Sequence, residues 1–169
     1  MTRRALTEEQ SLAILLPVWK DTVKVFARQG HSELGLAKFE LDESMHDTER
    51  HFAGTTLDGK EMHVAPALVD MPLDTVEAIL AHEAGHVVDF CNPGRWWFRL
   101  NELRYVADLP TKGLRKLLLS WKERDEDEVE HVADAIAELV TGRRIGYVGV
   151  GSCIVQTWDR GTPRPDGLR

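Results

Sequence analysis

His82-Glu83-Ala84-Gly85-His86 is the stretch on which the reading of this chain turns. It sits in the middle of a run with helical signals. Asp74 can cap the run with Glu77 three residues on, Val76, Ile79, Leu80, Ala84 and Val87 supply an apolar stripe, and Asn92-Pro93-Gly94 ends it. Residues four apart on a helix are separated by about 40° of rotation and about 6 Å of rise. Two imidazoles at that spacing leave the same face and can hold one ion. Zinc accepts imidazole nitrogen and prefers four ligands. Glu83 then stands beside the metal, where a carboxylate can take a proton from an activated water and pass it to a leaving amine.

A third ligand is sought elsewhere. Asp89 and Asn92 occupy the places where a His-x-x-Gly-x-x-His extension would need Gly and His. Glu130 is the better candidate, with Asp134 four residues later on the same helix. Glu130 flanks the stripe of Val129, Ala133 and Ile136, whereas His131 falls on the opposite side. Asp134 can accept a hydrogen bond from the far ring nitrogen of a ligand histidine and fix its tautomer. Glu126 is the nearest rival to Glu130, and a solvated helix face is the plain alternative.

Working outward, Thr7 and Gln10 form a capping-box pattern ahead of Leu12, Leu15, Leu16, Trp19, Val23 and Phe26. Pro17 should kink or split this helix, and Gly30 should end it. Ala37, Phe39 and Leu41 alternate with charged residues as in a strand, and a second extended run covers 49–56. Asp58-Gly59 is a hairpin turn signal. Met62–Val69 reads as a third strand, placed at a sheet edge by Pro66. Residues 95–124 read as one or two helices broken near Pro110. The last helix starts in the acidic run 123–128 and stops at Gly142. The tail from Gly146 is rich in Gly, Pro and Arg, with a short possible strand near Cys153-Ile154-Val155.

The 169 residues suit one domain, with 43% apolar and 29% charged residues marking a globular class. A net charge of −7 argues against nucleic-acid binding. Cys91 and Cys153 are too few to scaffold a domain of this size, and free thiols in a reducing compartment are the simpler reading. No signal peptide and no membrane span are read, so the expected compartment is the cytoplasm.

With those residues quoted, His82-Glu83-x-x-His86 followed by Glu130-x-x-x-Asp134 resembles the gluzincin signature of thermolysin-like peptidases. Residues 130–139 are similar to the third-ligand helix of the ImmA/IrrE-type minimal gluzincins, where Asn commonly holds the place of Asp134. Those are small cytoplasmic zinc peptidases of bacteria, phages and mobile elements. The resemblance covers roughly residues 60–140. The spacing from His86 to Glu130 is longer than in the smallest members, and the tail matches nothing in that family.

The resemblance implies an α+β, zincin-like fold: a small, edge-exposed sheet packed on an active-site helix and a third-ligand helix. It implies a single metallopeptidase domain over 1–169, with an N-terminal helix in 1–30 and an irregular tail in 146–169. His82, His86 and Glu130 would hold Zn2+, Asp134 would support a ligand, and Glu83 would be general base and acid in peptide hydrolysis. A peptide or protein substrate would pair with the 62–69 edge strand, although Pro66 can equally guard an edge against aggregation. Tyr147, Tyr105 and His131 are candidates for stabilising an oxyanion. A catalytically silent binding module and a metal hydrolase of a non-peptide substrate remain as alternatives. Trp96-Trp97-Phe98 and His63 read more simply as structural, and Arg160, Arg164 and Arg169 as a basic tail.

Overall fold

A computed structural model of the chain describes residues 6–45, 52–92, 95–96, 124, 126–150 and 153–159. Helix α1 (Glu8–Arg28) opens on the expected box: the Thr7 hydroxyl accepts from the Gln10 amide at 3.3 Å, and the Gln10 side chain accepts from the Thr7 amide at 3.0 Å. These bonds satisfy two amides that a helix start leaves without helical partners. Pro17 lies inside α1 without splitting it. Leu15 on one side of it and Trp19 and Phe26 on the other are buried in the same core, which ties both halves together.

Three short strands follow: β1 (Lys38–Leu41), β2 (Ala53–Thr55) and β3 (Glu61–Val64). Their order is β1-β3-β2, with β3 parallel to β1 and antiparallel to β2. Gly59, at φ +69°, turns β2 into β3, and the Asp58 carboxylate accepts from the Lys60 amide and the Thr56 hydroxyl. Met62 and Val64 are fully buried on the central strand. The expectation of an edge strand over 62–69 is therefore corrected. The chain leaves the sheet at Ala65, and Pro66–Asp70 form a 3-10 turn. A residue without an N–H is as well placed at the first position of such a turn as on a sheet edge. Among the described strands, β2 is the outer one that faces the next helix.

That helix, α2 (Leu73–Cys91), begins two residues earlier than the sequence suggests. Pro72 holds the cap position without a side-chain bond, and Asp74 sits in the first turn, where its charge favours the helix dipole. Every residue from Ala78 to Asp89 is buried. The cause is position: α2 is touched by α1, by β2, by α3 (Glu126–Thr141) and by β5 (Cys153–Asp159). Gly142, at φ +71°, follows α3 as expected.

The irregular tail expected from 146 is corrected over 146–150 and 153–159, and the short strand expected near Cys153-Ile154-Val155 falls within β5. β4 (Arg144–Val150) and β5 form an antiparallel hairpin paired from Arg144↔Asp159 to Val150↔Cys153. Ile145, Val155 and Trp158 are buried with the core, and Arg143 lies over the Trp158 ring at 5.3 Å while bonding Glu77 of α2 at 2.6 Å. The architecture is α+β. Among the described residues, no helix is long and apolar enough to cross a membrane. The helices expected within 95–124 lie outside the described residues except at Arg95, Trp96 and Arg124. Trp96 is buried, its ring 5.6 Å from that of His31.

Candidate metal centre

Gly85 brings the site together. A Cβ there would collide with the backbone carbonyl oxygen of Ala133 and lie 2.9 Å from its carbon. Only a residue without a side chain lets α2 and α3 approach backbone to backbone at this level. Ala133 lies between Glu130 and Asp134, so the close approach delivers both carboxylates to the histidine face of α2.

Their meeting is tight. His82 Nε2 is 3.0 Å from His86 Nε2 and 2.9 Å from Glu130 Oε2, and His86 Nε2 is 3.3 Å from Glu130 Oε1. The two rings stand edge to face with centroids 4.6 Å apart. Donor atoms about 2.0–2.1 Å from a tetrahedral zinc lie roughly 3.3 Å from one another, close to the three separations found. The three residues form a group that can hold a metal ion.

Electrostatics point the same way. Burial opposes charge on His82, but bonds to Asp134 and Glu130 and the nearby Glu83 charge outweigh it and push its pKa up to about 10. Burial likewise disfavours charge on Glu130, and bonds to the two histidines overcome it, holding the carboxyl well below its usual range. Two facing imidazoles and a carboxylate thus share a strong demand for positive charge, which a proton meets partly and a divalent cation meets in full.

The groups around the donors are ordered. His82 Nδ1 donates to Asp134 Oδ1 at 2.7 Å. A carboxylate is an acceptor only, so the proton stays on Nδ1 and the Nε2 lone pair is free for a metal once the second proton leaves. Asp134 in turn receives the Tyr147 hydroxyl and, at 3.5 Å, the Gln156 amide. Tyr147 and Gln156 are paired across the β4–β5 hairpin. Burial and the Asp134 charge push the Tyr147 phenol upward, so it stays protonated and a donor. Glu83 is 6% exposed, and its Oε2 accepts from the Thr55 hydroxyl of β2 at 2.8 Å.

The structure therefore gathers His82, His86, Glu130, Asp134 and Glu83. It leaves Glu126 and His131 exposed on α3, and Tyr105 lies outside the described residues. His63 is on β3, between Asp42 at 3.9 Å and Glu61 at 3.6 Å. Thr55 and Gln156 escaped the sequence reading. Each is a lone polar residue on a strand, and its relevance arises only from which helix that strand covers. No protein-family model matches the chain, and neither a curated protein nor a solved structure matches it at a significant level.

Proposed function

We propose that this protein is a zinc peptidase of gluzincin type on a zincin-like fold, working in the cytoplasm. One observation carries the reading: two histidine Nε2 atoms and the Glu130 carboxylate converge within 3.3 Å of one another, and the carboxylate of Glu83 stands on the same helix beside them.

Zinc held by His82, His86 and Glu130 would polarise a carbonyl and make a bound water more acidic. The remaining tasks fall to the chain. Glu83 takes the proton from the attacking water and gives it to the departing amine. Thr55, by donating to Glu83 Oε2, aims the other carboxylate oxygen and keeps the acid from turning back into the core. Asp134 holds His82 in the ligating tautomer. Tyr147, half-exposed and kept protonated, is the described side chain best suited to donate to a developing oxyanion, by swinging its one O–H away from Asp134.

An extended peptide would add to β2, the outer strand beside α2, rather than to the 62–69 segment. That edge is three residues long, which suits a short stretch of backbone pairing. The decisive test is Glu83→Gln in protein freed of any affinity tag. Turnover of a peptide library should fall by roughly 10³-fold or more, within the scale of general acid–base catalysis, while zinc content stays that of the parent. Undiminished hydrolysis, or a biological activity that survives the change, would refute peptidase chemistry at this site.

A further inference from the structure

His82, His86 and Asp89 lie at positions i, i+4 and i+7 of α2, a single stripe along the helix that drifts by about 20° over its length. The first two are the metal-facing histidines. The third is a carboxylate with 0% exposure in the middle of the protein. A buried carboxylate without compensation is costly, and this one is half compensated: Asp89 Oδ2 accepts from Arg124 Nη1 at 2.6 Å, whereas Oδ1 is buried without a hydrogen-bond partner among the described residues.

One turn back, His86 has the complementary deficit. Its Nε2 faces His82 and Glu130. To ligate a metal, that nitrogen must be bare and the ring proton must sit on Nδ1. Nδ1 is buried and has no hydrogen-bond partner among the described residues. His82 meets the same requirement through Asp134. Residues three apart on a helix are neighbours, with Cβ atoms about 5–6 Å apart, so the carboxylate of Asp89 is within a side-chain adjustment of the His86 ring. Phe90 stacks on that ring, with centroids 5.4 Å apart and planes at 22°. Burial leaves the Asp89 pKa above its ordinary value, with Arg124 first and His86 second opposing the rise.

We infer that Asp89, anchored by Arg124, is the positioning carboxylate of His86, receiving its Nδ1–H in the metal-loaded protein as Asp134 receives that of His82. The two ligand histidines then have separate supports, one from α3 and one from α2 itself. Arg124 gives Asp89 a charge partner in the core. The inference rests on the reading of His86 as a metal ligand and adds the residue that orients it.

The test uses the full chain and zinc alone as probe. Zinc dissociation constants are measured by competition with a chromophoric chelator for the parent and for Asp89→Asn, with circular dichroism to establish folding. Loss of an outer carboxylate typically weakens metal binding by about 10–100-fold, and that loss is expected here. Nitrogen-15 spectra of the histidine rings of the zinc-loaded parent supply a readout that a purely structural salt bridge would not move. The His86 Nδ1 proton should exchange slowly and shift downfield, and Asp89→Asn should displace its resonance while leaving that of His82 in place. A folded Asp89→Asn protein that binds zinc within twofold of the parent would overturn the inference. So would a parent spectrum with a fast-exchanging His86 Nδ1 proton, which decides the matter even if the variant does not fold. Failure of the parent itself to bind zinc would instead defeat the underlying metal reading and this inference with it.

Discussion

Helix α2 is held on two sides by different means. Toward α3 the contact is backbone on backbone, permitted by Gly85 and filled by Ala133. Toward the sheet it reaches through a side chain, with the Thr55 hydroxyl on Glu83. The first contact fixes the histidines against Glu130 and Asp134 with little room to adjust. The second leaves the acid beside them on an adjustable tether, at the end of a three-residue strand. Metal donors need a fixed polyhedron, whereas a general base must follow a proton from water to leaving group.

Substitutions on the two sides should therefore separate metal binding from turnover. The largest effect belongs to Gly85→Ala. The added methyl has no space against the Ala133 carbonyl, and overpacking of this kind costs about 1–3 kcal/mol, at times more. Thermal unfolding should show a lowered Tm, and zinc affinity should fall with it as Glu130 is pushed from the histidines. An unchanged Tm would mean that the helices are not held this close.

Thr55→Val is the counterpart on the sheet side. It keeps the shape and deletes a hydrogen bond to a charged group, worth about 1.5–3 kcal/mol. Turnover should drop by roughly tenfold or more and Tm should fall by several degrees with the lost bond, while zinc affinity stays near that of the parent. A variant that lost metal as well as rate would erase the proposed division of labour.

The third test is one of pH. The folded pKa of His82, about 10, lies above its ordinary 6.5. In metal-free protein this ionisation contributes stability that is fully present below pH 6.5 and is lost as pH rises through about 10. The urea midpoint of the metal-free form should fall across that window, and the fall should vanish when zinc replaces the proton. Calorimetry near pH 8 in two buffers of different ionisation enthalpy should report about one proton released per zinc bound. Glu130, already ionised, should add none.

Much of the helix side was legible in the sequence, because helical phase is a long-range signal. The four-residue spacing of the histidines placed them on one face, and the stripe through Val129, Ala133 and Ile136 placed Glu130 toward it. The sheet side was harder to read. Pro66 signals a missing donor, and that signal suits the start of a 3-10 turn as well as a sheet edge. Gly146 and Gly149 interrupt the apolar alternation of β4, which made a regular hairpin look like a tail. Asp89 was read only as a departure from an extended metal motif; its pairing with Arg124 joins residues that nothing in local spacing connects.

Metal analysis of the untagged, natively purified protein tests the central claim most directly. The account predicts about one zinc per chain, lost on His86→Ala. Protein prepared without chelators that carries no divalent metal, and takes none up when zinc is supplied, would contradict it.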